Sequence, residues 1–441
     1  MDSQKKLLIV VGTGLLMLVA IVGFVLVKRG QSDNNGSSQD TELVYYGLWE
    51  GDDHLKDVIE KYEEENPGIT IKYTQKSYTQ YEENIYEWLT DPQTTPDIVR
   101  INNTWTYKFQ DRLSPLPPEI MSSSEYQETF YAAAFEDFMG TDGRTYAIPL
   151  EIDGLALYYN KDLFTEAGIA NPPNDWDTFV ETAKTLTKTD SQGQITQGGA
   201  AMGCSTSGSS ININHSADIL FALMLQSNVQ MTNSDASEAT FDSQQGQDSL
   251  SYYTNFVLEH KVWSCSLRND LEMFSAGNLA MMFAPSWRVF DIISMNSSIN
   301  FDVAKFPQLP ANNIDVNYGM YWGEAVSAQS QNQLEAWKFV KYLSEQEQLK
   351  TMYAAESLSR TFGEPYSRKD LADELTDAPY VSPFIEMAPS MISWKMGDQQ
   401  TAETAINKAI SDVVDGRKSV KSALEEAAET VNSVLGGISS I

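Results

Sequence analysis

Cysteine and histidine are nearly absent from this chain. Its 441 residues hold two cysteines, Cys204 and Cys265, and three histidines, His54, His215 and His260. That spacing matches no metal or redox motif, so no thiolate or histidine-rich metal centre and no cofactor is expected. The two cysteines can pair in an oxidising compartment or sit as small buried hydrophobes, and their positions do not choose. Basic residues are the next scarcity: 30 Lys and Arg stand against 61 Asp and Glu, for a formal charge of −31. Nucleic-acid binding needs a basic footprint and is excluded as a general property. Long apolar runs are missing as well, with one exception at the N-terminus, and no internal repeat is present.

What remains is a globular composition, 42% hydrophobic and 11% aromatic. A chain this long exceeds one simple core, and two domains are expected. The exceptional run is Leu7 to Val27, 21 uncharged residues, roughly 32 Å as a helix and enough to cross a bilayer. Lys5-Lys6 precede it and Lys28-Arg29 follow. No cysteine and no small-x-small cleavage site follows it, so residues 1–30 read as an uncleaved membrane anchor with the soluble part outside, a cleaved signal being the alternative. Residues 31–42, small and polar, read as a flexible tether.

After the tether the pattern alternates. Leu43 to Tyr46 reads as a strand. A helix with Leu55, Val58, Ile59 and Tyr62 on one face follows, then the alternating strand Ile69, Ile71, Tyr73, a helix over 78–89 and a buried strand Ile98 to Ile101. That order indicates an α/β layer with a mostly parallel sheet. Ligands in such sheets lie beyond the carboxyl ends of the strands. The loops to watch are therefore Leu48-Trp49-Glu50-Gly51 and Asn102-Asn103-Thr104-Trp105.

The passage Tyr146 to Phe179 organises the rest. Two extended segments, Ala147 to Leu150 and Leu155 to Tyr159, meet across Glu151-Ile152-Asp153-Gly154, where Gly154 permits a crossing. A short helix, the Pro172-Pro173 stop and a new helix capped by Asn174 or Asp175 follow. Later stretches read as a strand over Gly319–Ala328, a helix over Asn332–Leu343 with Trp337 in the core, and two C-terminal helices split at Asp415-Gly416.

"AIPLEIDGLALYYNKDLFTEAG" with "PPNDWDTF" resembles the hinge-crossing signature of extracellular solute-binding proteins that serve ABC importers, in the branch that includes maltose-binding proteins. "FSAGNLAMMFAPSW", "WGEAVSAQSQNQLEAWKFVKYLSEQEQ", "SLSRTFGEPY", and "APSMISW" with "DVVDGRKSVKSALEEAAE" are similar to later stretches of that family, in order. The resemblance spans about residue 43 to the end. It implies a two-lobe periplasmic-binding-protein fold of α/β type with a multi-strand hinge, here preceded by the N-terminal transmembrane helix. Residues 43–150 completed by 325–365 would form the first lobe, and 151–324 completed by 366–441 the second. A monomer that passes a carbohydrate to the transmembrane subunits of an ABC permease is expected.

Sugar recognition needs aromatic planes for the C–H faces and Asp, Glu, Asn or Gln for the hydroxyls. The candidate aromatics are Trp49, Trp105, Trp287, Trp322 and Trp394, and the resemblance implies that Trp287 and Trp394 stack on ligand. The candidate polar partners are Glu50, Asn103, Glu151, Asp153, Asn214 and Glu324, with Gly323 beside the last. Asp153 can equally brace the hinge. A polyamine would suit an acidic cleft, a peptide is a further candidate, and a glycerol phosphate would need Arg288 or Arg360. A membrane-tethered sensory or adhesive domain is a further reading. Glu151 and Glu324 could also pair as acid and base of a glycoside hydrolase, but nothing resembles an activated nucleophile, and no enzyme is expected.

Overall fold

The computed structural model describes residues 40–205, 212–309 and 315–435. The run Leu7 to Val27 and most of the tether lie outside them. Among the described residues no helix is long and apolar enough to cross a membrane.

The first lobe is built on a six-stranded sheet. Ile69–Lys76, Thr41–Leu48 and Ile98–Asn102 run parallel, as the alternating pattern predicts. Trp322–Ser327 returns antiparallel against Ile98–Asn102 and pairs in turn with Leu113–Ser114 and Ile148–Pro149. All five residues of Ile98–Asn102 are buried, the near-continuous burial of a strand covered on both faces. The helix Asp52–Glu65 covers the sheet with Leu55, Val58 and Tyr62. Trp337, fully buried on the helix Gln333–Leu343, belongs to the same core.

The second lobe carries a smaller antiparallel sheet, Phe301–Ala304, Ala156–Asn160 and Met281–Ala284. Around it pack the helices Trp176–Leu186, Ser216–Gln226, Gln244–Leu258, Gln399–Val414 and Val420–Leu435. Asp175 caps the first of these, its carboxylate accepting the Thr178 N–H at 2.8 Å, which satisfies one of the free donors of a helix start. Gly416, at φ 67°, divides the last two. Lys188–Thr189 and Ile195–Gln197 pair as a short antiparallel hairpin. Cys204 and Cys265 are joined in a disulfide, which resolves the open choice and fits an oxidising compartment.

The lobes meet where sequence placed the crossing. Gly154 bridges Gly319, and a Cβ on Gly154 would lie 2.2 Å from the Tyr318 carbonyl oxygen. Only glycine lets the first and second crossings touch there. The third crossing falls later than the expected boundary at 366. Arg368 bridges Phe130, Lys369 Nζ donates to the Gln127 carbonyl at 2.5 Å, and Gln346 donates to Asp370 at 2.8 Å, all in the first lobe. The reason is the short helix Lys369–Glu374, which buries Leu371, with Leu375 buried just beyond it. The chain enters the second lobe by Tyr380, which stacks on Phe301 at 5.0 Å.

The disulfide spans 61 residues of the second lobe, and removing a crosslink of that size costs about 2–4 kcal/mol. Replacing both cysteines by serine is expected to lower unfolding stability by that amount in urea titrations. A loss below about 0.5 kcal/mol would show that the loop is held without it.

Candidate binding cleft

Strand ends and loop turns of both lobes carry exposed aromatic residues. In the first lobe Trp49 follows the first strand at φ 57°, a left-handed conformation that costs a tryptophan of order 1 kcal/mol. It is held there because Gln75 donates to the Trp49 carbonyl at 2.6 Å and the Tyr73 hydroxyl to the Glu50 carbonyl at 2.7 Å. Trp49 meets Trp322 edge-on at 4.9 Å and stacks on Tyr78 at 5.6 Å, and Trp322 meets Trp105 at 5.0 Å. Trp49 and Tyr78 remain 46% and 58% exposed, unusual for large rings with so many neighbours.

The second lobe presents Trp287, 40% exposed. Its turn is braced from the hinge. The buried Asp153 carboxylate accepts the Ser286 N–H at 3.1 Å and its hydroxyl at 2.8 Å, while Tyr158 donates to the Pro285 carbonyl at 2.6 Å. Burial pushes Asp153 up to about 8, against the pull of those bonds. Arg288 lies over the Trp287 ring at 4.2 Å, pairs with Asp291 at 2.8 Å and reaches His215 at 3.5 Å. His215, also left-handed at φ 58°, bonds Asp218 at 3.2 Å. Burial, helped by Arg288, pushes His215 down to about 4.

Carboxylates lie beside Trp287, since His215, 6.1 Å from its ring, bonds Asp218. Asp218 is raised to about 7 by burial, and Glu403 to about 8 by burial and the charge of Asp218. Burial raises Tyr78 of the opposite lobe, and the charges of Glu403, Glu82 and Asp218 add to the rise. Gln399 bonds to both lobes: its amide oxygen accepts the Trp105 indole N–H at 2.9 Å and its amide nitrogen donates to Glu403 at 2.7 Å. Lys108 of the first lobe adds bonds to Glu82 at 2.8 Å and to Asp398 of the second at 2.5 Å.

The other expected polar residues lie elsewhere. Glu50, Glu151 and Glu324 converge on the buried guanidinium of Arg100, at 2.5, 3.3 and 3.4 Å. Burial pushes Glu324 up to about 7. Burial and the charge of Glu364 raise Glu151 well above the carboxylate range, and a side-chain hydrogen bond between the two carboxyls adds to the rise. Glu364 and Glu356 in turn hold Arg360 at 2.8 and 2.6 Å. These groups surround a cavity of about 30 Å³, room for a water molecule and far less than a sugar ring needs. Glu151 and Glu324 are thus partners of one arginine, with no open space between them for a glycosidic bond.

Asn103 is buried at the hinge, bonded to Asp137 at 2.9 Å and the Gly319 carbonyl at 3.3 Å. Asn214 donates to Asp270 at 2.6 Å behind His215. Gly323 is packed where a Cβ would strike Phe138 at 2.6 Å. Trp394 is buried against Phe221 and Phe241, at 5.1 and 6.0 Å. Sequence reading passed over Tyr78, His215, Asp218, Gln399 and Glu403. The last three sit on the helices Ser216–Gln226 and Gln399–Val414, and Asp218 stands inside the apolar run ADILFALML.

Two α/β lobes, a three-crossing hinge and a mixed aromatic and carboxylate cleft define a ligand-capturing receptor with no catalytic constellation among the described residues. Residues 57–376 match the bacterial extracellular solute-binding proteins, and the chain belongs to that family. Its members are binding proteins, not enzymes. The galactooligosaccharide-binding protein of Bacillus subtilis is 23% identical, with 94% of this chain and 95% of that protein covered. The structure is similar to a cyclic α-maltosyl-1,6-maltose binding protein from Arthrobacter globiformis (TM-score 0.74, 18% identity, 90% of this chain and 99% of that one). It is also similar to an ABC substrate-binding protein from Listeria monocytogenes in complex with cycloalternan (TM-score 0.69, 20% identity, 90% and 99%).

The raised carboxyls give stability a definite pH dependence. Asp153, Asp218, Glu324, Glu356 and Glu403 all titrate between about 7 and about 8 in the folded protein, well above their unfolded values. The folded state therefore binds more protons than the unfolded one, and stability falls as pH rises through this range. Neutral His215 opposes this only below pH 6.5, where the unfolded histidine takes a proton that the folded one refuses. The melting temperature is expected to be higher at pH 6.5 than at pH 8. A flat or reversed profile in calorimetry would show these carboxyls to be solvated.

Proposed function

We propose that the chain captures an oligosaccharide between its lobes and presents it to an ABC permease. The observation that carries this is that Trp49 and Tyr78 of the first lobe and Trp287 of the second are exposed rings, with Gln399 bonded to Trp105 and Glu403, and Asp218 bonded to His215 beside Trp287. Flat apolar rings suit the faces of pyranoses, and acceptor groups beside them suit hydroxyl edges. The names of the relatives, galactooligosaccharide, maltosyl-maltose and cycloalternan binders, support the same class. Trp322 completes the aromatic wall, while Asp153, Asn103 and the Glu50–Arg100 pair hold it in place. One observation favours a second ligand, a polyamine: the carboxylates of Asp218 and Glu403 have no lysine or arginine salt bridge among the described residues. The protein acts as a monomer in this reading, displayed outside the cytoplasm on the anchor Leu7 to Val27.

A thermal-shift screen of the full-length chain against oligosaccharides, polyamines, peptides and glycerol phosphates tests the ligand. A ligand at 100 times its Kd adds about 2.7 kcal/mol. An oligosaccharide is expected to raise the melt, and Trp49→Ala and Trp287→Ala to remove the shift. A response to polyamines alone would overturn the sugar assignment while leaving the receptor class standing.

Anchoring is tested by extracting membranes of the expressing cell at high pH. The full chain is expected to stay in the pellet, and a chain lacking residues 1–30 to remain soluble. Release of the intact protein into the medium would favour a cleaved signal.

A further inference from the structure

One contact between the lobes involves no group assigned to the ligand. Phe290 sits on the helix Arg288–Met295 of the second lobe, whose Val289 and Ile292 are buried within that lobe. Its ring meets Phe362 of the first lobe, centroid to centroid at 4.6 Å, and the Arg360 guanidinium lies 5.1 Å over it. The first-lobe corner is held by several contacts. Arg360 is clamped by Glu356 and Glu364, Ser359 bonds His54 at 3.2 Å, and Gly363 lies so close to Tyr353 that a Cβ would be 2.5 Å from its Cα. Phe290 is tied to the cleft just as directly. Its N–H donates to the Trp287 carbonyl at 3.1 Å, and residues three apart on a helix share a face.

We propose that Phe290 is a positioning residue for the cleft: when the lobes close, the Arg360–Phe362 corner captures it and so sets Trp287 opposite Trp49 and Tyr78. The proposal takes the location of the ligand from the oligosaccharide-receptor reading, but the motion it describes does not depend on what the ligand is. Because Phe362 and Arg360 belong to one lobe and Phe290 to the other, this contact favours the closed arrangement over the open one without touching ligand. Aromatic pairs of this kind bias such an equilibrium by roughly threefold to tenfold. Affinity is then set partly at a site remote from the sugar, since only the closed fraction holds both walls in place.

Double electron–electron resonance on the full-length chain tests this without ligand. Cys204 and Cys265 are disulfide-bonded, so nitroxides can be placed at Lys56→Cys and Ser297→Cys, exposed positions on the first and second lobes. Phe290→Ala and Phe362→Ala are each expected to move the distance distribution to longer values, and the double substitution to move it no further than either alone. Phe362→Leu, which keeps an apolar side chain in the fold, is expected to give an intermediate shift. With maltotriose as probe, affinity is expected to fall threefold to tenfold while Trp49→Ala leaves the unliganded distances unchanged. Unchanged distances in Phe290→Ala, Phe362→Ala and Phe362→Leu, with melting still cooperative, would overturn the proposal. Failure of maltotriose to bind the unsubstituted protein would count against the ligand class and leave the distance result to decide the positioning role.

Discussion

A guanidinium buried in the middle of a sheet is the constraint on which the molecule turns. Arg100 lies on a strand with no exposed residue, and an unpaired charge there would cost several kcal/mol. Its three partners come from distant parts of the chain: Glu50 from the loop after the first strand, Glu151 from the first crossing and Glu324 from the strand after the second. Satisfying one side chain therefore fixes where the Trp49 turn begins and where two crossings leave the first lobe. Glu364, bonded to Glu151, extends the same network to the corner that carries Arg360 and Phe362. Such networks add little to stability compared with an apolar core of the same shape, but this one sets the register of the hinge.

The second lobe solves the matching problem with one carboxylate. Asp153 reaches from the crossing to the Ser286 turn, so Trp287 is positioned by the hinge itself rather than by a free loop. Trp49 and Trp287 thus both refer back to the same few residues, 151 to 154. The strained backbone at Trp49 and His215 fits this picture, since left-handed non-glycine residues persist only where the surroundings over-determine them. Gln399 bonds to Trp105 of the first lobe and Glu403 of the second and so joins the two halves.

Local pattern carried much of this. The crossing at Gly154 was legible because two apolar runs stop and restart around a Glu-Ile-Asp-Gly sequence, and the parallel sheet because helical and alternating periods succeed one another. The third crossing was misplaced because Arg368 and Asp370 are held by Ser344 and Gln346, contacts with no local signature. Trp49, Trp322 and Trp287 were visible as aromatics at strand ends. Whether a carboxylate faces the cleft or an arginine was not visible: Glu50, Glu151 and Glu324 sit beside the right loops yet turn to Arg100. An arginine inside the apolar run IVRIN announces buried partners without naming them. Asp218 stands out as a carboxylate inside an apolar run, whereas Glu403 lies on a helix whose sequence gives no sign that it is buried.

The touching of the crossings at Gly154 and Gly319 has a mechanical meaning. Two ribbons in backbone contact, without a side chain between them, cannot slide past each other as independent strips. Twist in one is passed to the other at the point of contact. A turn of one lobe against the other is thereby felt by both crossings at once.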